Sequence, residues 1–137
     1  MKRKFLSALF VLFLTCCLVA CNGLFGTAGD CAVEFSSETR VVISVQTDGG
    51  SVLSCMEKLG EELVYETSDG MVTSINGKAN AADFSACWML YTSDIEQANA
   101  SWGTVEYDGK TLGSAMLGAE LLEVKAGEIY LWEYVSF

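Results

Sequence analysis

Apolar residues follow different periods in different parts of this chain. Phe5 to Leu14 is an almost continuous apolar run behind Lys2, Arg3 and Lys4. Arg40-Val-Val-Ile-Ser-Val45 is short and β-branched, which predicts a strand. Val52, Cys55, Met56 and Leu59 fall at i, i+3, i+4 and i+7, one face of a helix. Ser54, Glu57, Lys58 and Glu61 point away from that face. Ser51 opens the helix and Gly60 closes it as a positive-φ cap. Further strands are expected at 63–67, 71–75, 87–91, 102–107, 121–125 and 129–135. Turn signals separate them: Ser68-Asp69-Gly70, Asn76-Gly77, Asp108-Gly109 and Ala126-Gly127-Glu128. Alternation sets Trp88 and Leu90 opposite Cys87, Met89 and Tyr91, and gathers Tyr130, Trp132 and Tyr134 on one face. Thr92 to Ser101 reads as a polar segment with room for a helical turn. Leu112 to Leu117 is mixed and fits no period.

A strand, one amphipathic helix and then a run of strands imply an α+β layer arrangement. The expected architecture is a β-grasp-like mixed sheet with one short amphipathic helix packed on it. An immunoglobulin-like sandwich is the alternative, and the early helix argues against it.

The N-terminus has the order of an export signal: a basic start, an apolar run, then Leu18-Val19-Ala20-Cys21. Those four residues match the lipobox of bacterial lipoproteins, whose small residues fit a peptidase groove and whose cysteine takes the lipid. The uncharged stretch from Phe5 to Ala20 is 16 residues, short of the roughly 20 that span a bilayer. Cys21 is therefore the expected lipidation site, and two or more acyl chains would hold the protein durably at the outer face of a cell membrane. Residues 1–20 are assigned to the signal peptide, 21–32 to a flexible Gly/Ala-rich tether, and 33–137 to a single domain.

Charge narrows the partners. Removing a signal with three basic and no acidic residues takes the net charge from −10 to −13 over the remaining 117 residues. So acidic a surface repels phosphate backbones, which excludes nucleic acid as a partner. It repels anionic headgroups too, so contact with the membrane falls to the lipid anchor.

The chain has no histidine and no proline. Without histidine there is no Ser-His, Cys-His or His-metal chemistry, and turns must come from Gly, Asn, Asp and Ser. Cys16 and Cys17 leave with the signal, and Cys21 is acylated. Cys31, Cys55 and Cys87 remain, and their spacing fits no zinc pattern. They form one disulfide or none, and buried free cysteine is the alternative to a bridge. If a bridge forms, Cys31 pairs with Cys55 or with Cys87.

Catalytic candidates do not assemble. Glu61-Glu62 and Glu120/Glu123 are carboxylate pairs in ordinary solvated contexts. The Asp-Gly steps at 48, 69 and 108 lack a calcium loop and read as turns. Neither Ser74 nor Cys87 has a base to activate it. Aromatic residues crowd the second half instead, and flat side chains with polar tips suit a planar or amphipathic ligand. Trp88, Tyr91, Trp102 and Tyr107 are the candidate ligand-binding residues. Trp132 and Tyr134 read as packing.

The chain carries Gly70-Met-Val-Thr-Ser-Ile-Asn-Gly77, then Cys87-Trp-Met-Leu-Tyr91, then Val124-Lys-Ala-Gly-Glu-Ile-Tyr-Leu-Trp-Glu-Tyr134. In order and spacing these resemble the transcobalamin-like C-terminal domain family of bacterial lipoproteins and surface proteins, from about Val41 to Tyr134. The resemblance implies a β-grasp-like fold and no enzymatic activity. In the animal carriers a related domain forms one wall of a cobalamin site. This chain lacks the α/α-barrel that forms the other wall, and it has Thr92-Ser93-Asp94 where many relatives have Asn-Gly. The expectation is a lipid-anchored binding module for a corrinoid or other bulky cofactor, handed to a membrane importer. The alternative is a structural or protein-interaction module of the cell envelope.

Overall fold

The computed structural model describes residues 31–137. The expected signal peptide, the lipidated Cys21 and the tether up to residue 30 lie outside the described residues. The elements are β1 (Cys31–Ser36), β2 (Arg40–Val45), α1 (Val52–Leu59), β3 (Tyr65–Ser68), β4 (Met71–Ile75), β5 (Lys78–Ala79), β6 (Ala86–Thr92), β7 (Ala98–Tyr107), β8 (Lys110–Ala115) and β9 (Ile129–Ser136). Cys31 and Ala32, expected in the tether, already belong to β1.

Six strands form one sheet in the order β1-β2-β9-β6-β8-β7, and β3-β4-β5 form a second. Every ladder is antiparallel. This corrects the expected α+β, β-grasp-like mixed sheet: a mixed sheet needs a parallel pair, and none occurs among the described residues. The fold is mainly β, with one short helix. The error has a physical source. β1 and the first half of β7 are exposed at sheet edges, so their sequences lack the apolar alternation that marks a half-buried strand. Leu121–Lys125, expected as a strand, is instead an irregular connection touching Ser51 through a single bridge at Glu123.

The tight turns follow their sequences. Asp69-Gly70, Asn76-Gly77 and Asp108-Gly109 all hold positive φ at both positions. That is the type I′ geometry whose twist matches the flanking strands, and Asn-Gly and Asp-Gly tolerate it best.

α1 forms as its spacing requires: Val52, Cys55, Met56 and Leu59 are all buried. Its first backbone donors are each satisfied. Val52 N–H donates to the Leu122 carbonyl at 2.9 Å and Leu53 N–H to Ala119 at 2.8 Å. Ser54 N–H donates to Ser51 Oγ, while Ser54 Oγ accepts from Ser51 N–H, a reciprocal cap. The helix N-terminus therefore fixes the backbone of the β8–β9 connection.

The large sheet has two differently covered faces. Val41, Ile43, Trp88, Leu90, Tyr130 and Trp132 point to one of them, where α1, the small sheet and Leu122 and Val124 of the connection complete the main core. Val42, Tyr91, Leu112 and Leu131 point to the other. The sheet curls over that second face: Arg40 of β2 pairs with Glu133 of β9 and reaches the Glu106 carbonyl of β7. Cys31 and Cys55 form a disulfide tying edge strand β1 to α1, and Cys87 is free and half-buried.

Candidate functional site

A groove of about 380 Å³ opens on the main-core side of the large sheet. One wall is the β3–β4 turn, from Asp69 to Val72. The other is the end of β8 and the connection after it, from Ser114 to Leu121. Trp88, Leu90 and Trp132 make the floor. Strand register puts these three side by side: Leu90 stands opposite Trp132, and Trp88 opposite Tyr134.

The floor is rigid. Trp88 Nε1–H donates to the Lys78 carbonyl at 2.7 Å, and its backbone N–H donates to Asn80 Oδ1. Its ring meets Tyr134 edge-on, with centroids 5.4 Å apart. Tyr134 in turn donates its hydroxyl to the Ala79 carbonyl and carries the Lys78 ammonium 4.3 Å from its ring centre. The small sheet is thereby locked onto one end of the groove.

Trp132 differs. It is 4% exposed, yet its indole N–H has no hydrogen-bond partner, the one such buried side-chain N or O among the described residues. Burying an N–H without an acceptor costs roughly 1–3 kcal/mol, and this one is covered by protein beneath the floor of the groove.

The rim is apolar and exposed. Met71, Met116, Leu117 and Leu121 all line the groove and all stand substantially in solvent. Two of the four are methionines, whose unbranched side chains adapt to irregular surfaces. Asp69 and Glu120, both exposed, also line the groove, and no Lys or Arg does. Gly70 holds φ +78° in the type I′ turn, which favours glycine, and the end of the exposed Glu120 side chain lies over it.

The four candidate residues from the sequence do not meet. Trp88 is in the groove floor. Tyr91 and Tyr107 belong to the cluster on the opposite face of the sheet. Burial raises the Tyr91 hydroxyl above its ordinary pKa, helped by the nearby Glu133 charge. Trp102 is 64% exposed, carried by a wide bulge of β7 between Asn99 and Thr104. Trp132, expected to be packing, joins Trp88 in the groove. The rim residues were not anticipated. The one signal for them was the mixed apolar stretch from Leu112 onward, which fits neither a strand nor a helix and so leaves apolar side chains in solvent.

Among the described residues no cluster of His, Cys, Asp and Glu is placed to hold a metal, and no helix is long and apolar enough to cross a membrane. No protein-family model, curated protein or solved structure matches this chain. The resemblance to the transcobalamin-like C-terminal domain rests on the sequence motifs alone.

Proposed function

We propose that this chain is a lipid-anchored extracytoplasmic binding module whose groove takes a small, largely apolar ligand. The observation that carries this is the groove itself, about 380 Å³, floored by Trp88, Leu90 and Trp132 and rimmed by the exposed Met71, Met116, Leu117 and Leu121. Volumes of about 300–1,000 Å³, apolar lining and a few placed polar groups are the usual marks of a small-molecule site. A corrinoid, larger than this groove, would enter it edge-first, with the rest of the ring on the exposed rim. Passing it to a membrane importer would suit an open site at the end of a tether.

Tryptophan emission reports on this directly, because Trp88 and Trp132 both floor the groove. Titration of the purified protein with cobalamin, haem and simple amphiphiles is expected to change emission saturably for at least one of them. Leu121→Glu is expected to weaken that ligand about tenfold, because it sets a charge on the apolar rim. No response to any of them at high micromolar concentration would refute the reading. The exposed rim of Met71, Met116, Leu117 and Leu121 supports the second reading, an interaction module of the cell envelope. In that case Leu117→Glu would abolish recovery of a specific envelope protein while leaving every small-molecule titration flat.

A further inference from the structure

We propose that Cys87 and Met89 form a binding site for a soft monovalent metal ion, Cu(I), on the face of the large sheet opposite the groove. It stands independently of the ligand-binding reading above. The two residues lie two apart on β6, so alternation puts both side chains on one face. There they touch: the Cys87 thiol donates to Met89 Sδ across 3.7 Å. Both residues are half-buried and within reach of solvent. Cys31 and Cys55 are bonded to each other, which leaves Cys87 as the free thiol among the described residues. No group of three or more His, Cys, Asp and Glu is placed there to hold a metal. This pair is of another kind, because one of its donors is a thioether.

The donors select the ion. A thiolate and a thioether are soft ligands, and they favour Cu(I) over the harder divalent ions. Distance permits it. With metal–sulfur bonds of about 2.3 Å, the length of a zinc thiolate, two sulfurs on one ion lie at most about 4.6 Å apart. The observed pair falls inside that span, and the unbranched Met89 side chain has the freedom to widen it toward a linear arrangement. Charge permits it too. Binding forms the Cys87 Sγ–Cu bond and releases the thiol proton to solvent, so the thiolate and the monovalent ion cancel. Glu133, across from Met89 on β9, is already held by Arg40. A divalent ion would therefore leave an uncompensated positive charge in a half-buried place, close to a guanidinium.

The test is transfer of Cu(I) from its bicinchoninate complex to the purified protein without oxygen, with the metal counted by native mass spectrometry. One equivalent is expected to transfer. Cys87→Ser should abolish uptake. Met89→Leu, which keeps the volume, should weaken it about tenfold or more, since losing a group that merely orients a metal ligand already costs that much. Met71→Leu with Met116→Leu, on the groove rim, should change nothing. Ag(I), a redox-inert stand-in, should move the carbon-13 signal of the Met89 methyl in the wild-type protein, a direct reading that needs no variant to fold.

Met89→Leu binding within about twofold of wild type, or a Met89 methyl unmoved by Ag(I), would reduce the site to a lone thiol and overturn the pair. Full uptake by Cys87→Ser would put the metal elsewhere. Displacement of Cu(I) by an equal concentration of Zn(II) would overturn the preference for a soft monovalent ion.

Discussion

Breaking the Cys31–Cys55 bond should lower the melting temperature of this domain by about 15 °C. The bridge closes a loop with a sequence separation of 24 residues, spanning β1, β2 and the first turn of α1. In the chain-entropy account, releasing a loop of that length gives the unfolded state about 3.5 kcal/mol. Unfolding entropy near 2.1 cal/mol/K per residue, over the residues from 31 to 137, is about 0.22 kcal/mol/K, and the ratio of the two gives the shift. The structural consequence is specific, because β1 is an edge strand bound on one side only. Without the bridge it keeps a single ladder, to β2, and the packing of Val33. The perturbation is Cys31→Ala with Cys55→Ala, compared with the wild type with and without a phosphine reductant. The assay is thermal unfolding followed by near-ultraviolet circular dichroism, with thiol alkylation and mass spectrometry on the native protein. Cys87→Ala serves as control and should respond to reductant as the wild type does. A double variant melting within about 3 °C of wild type, or native protein alkylated at Cys31 and protected at Cys87, would refute the reasoning.

Three further outcomes test separate parts of the structure. Asp94 is 4% exposed. Burial alone pushes its carboxyl up, but hydrogen bonds from Gln97, Lys125 and the Glu96 N–H, with the Lys125 charge, outweigh that and hold it below the ordinary range. A depressed folded value gives stability that is complete above the unfolded pKa near 3.9 and is lost as pH falls through the folded value. Urea midpoints should therefore drop more steeply below about pH 4 for wild type than for Asp94→Asn, and parallel slopes would show that Asp94 carries none of this dependence. Trp102→Ala should change stability by no more than about 0.5 kcal/mol and leave every ligand titration unaltered, since the side chain stands in solvent. A loss above about 2 kcal/mol would place it in packing. Ser51→Ala removes the cap that accepts from Ser54 N–H and should cost about 1 kcal/mol in urea unfolding; an unchanged midpoint would mean that the carbonyls of Leu122 and Ala119 suffice to hold the helix start.

Local signals in the sequence were read correctly wherever the structure depends on local physics. The spacing of Val52, Cys55, Met56 and Leu59 gave α1 because a helix buries one face whatever lies opposite. The Asp-Gly and Asn-Gly steps gave the hairpins because few residues tolerate positive φ at two successive positions. The faces of β6 and β9 followed from alternation, since both strands are central and buried on both sides. What failed was long-range. β1 is exposed along most of its length, so only its partner β2 reveals it as a strand. β7 begins in Ala98-Asn99-Ala100-Ser101, where Asn99 Oδ1 accepts from the Ser101 backbone and the chain bulges out of the ladder. Apolar residues at Leu121, Leu122 and Val124 read as a strand, but the Leu121 and Leu122 N–H groups turn back to the Gly118 carbonyl, the Leu122 carbonyl caps α1, and Val124 pairs with Gly49 and Gly50. Antiparallel pairing throughout, and with it the mainly-β class, depended on those missed edges.

The groove was illegible for the same reason, and its origin shows why. The donors at the start of α1 must be satisfied, and Leu122 and Ala119 satisfy them. That pins the β8–β9 connection across the sheet and turns Ala119 and Leu122 into the core while Leu117 and Leu121 are left outside. The hairpin of β3 and β4 is held from the other side by Trp88, Asn80 and Tyr134 through the small sheet. Two walls fixed by unrelated parts of the chain leave a groove between them, with Trp88, Leu90 and Trp132 beneath it. No local pattern encodes a gap between two independently anchored walls. The residues that make it are ordinary in sequence: a core-facing tryptophan, a turn aspartate, a loop glutamate and a few exposed apolar side chains. Their meaning comes from being brought together. The Trp132 N–H beneath the floor is buried without a partner, where a core optimised only for packing would have paired it or used phenylalanine. Trp132→Phe should accordingly leave stability within about 1 kcal/mol of wild type in urea unfolding, the lost contacts being offset by removal of the unpaired donor. A loss above about 2 kcal/mol would mean that the indole N–H is paired in solution.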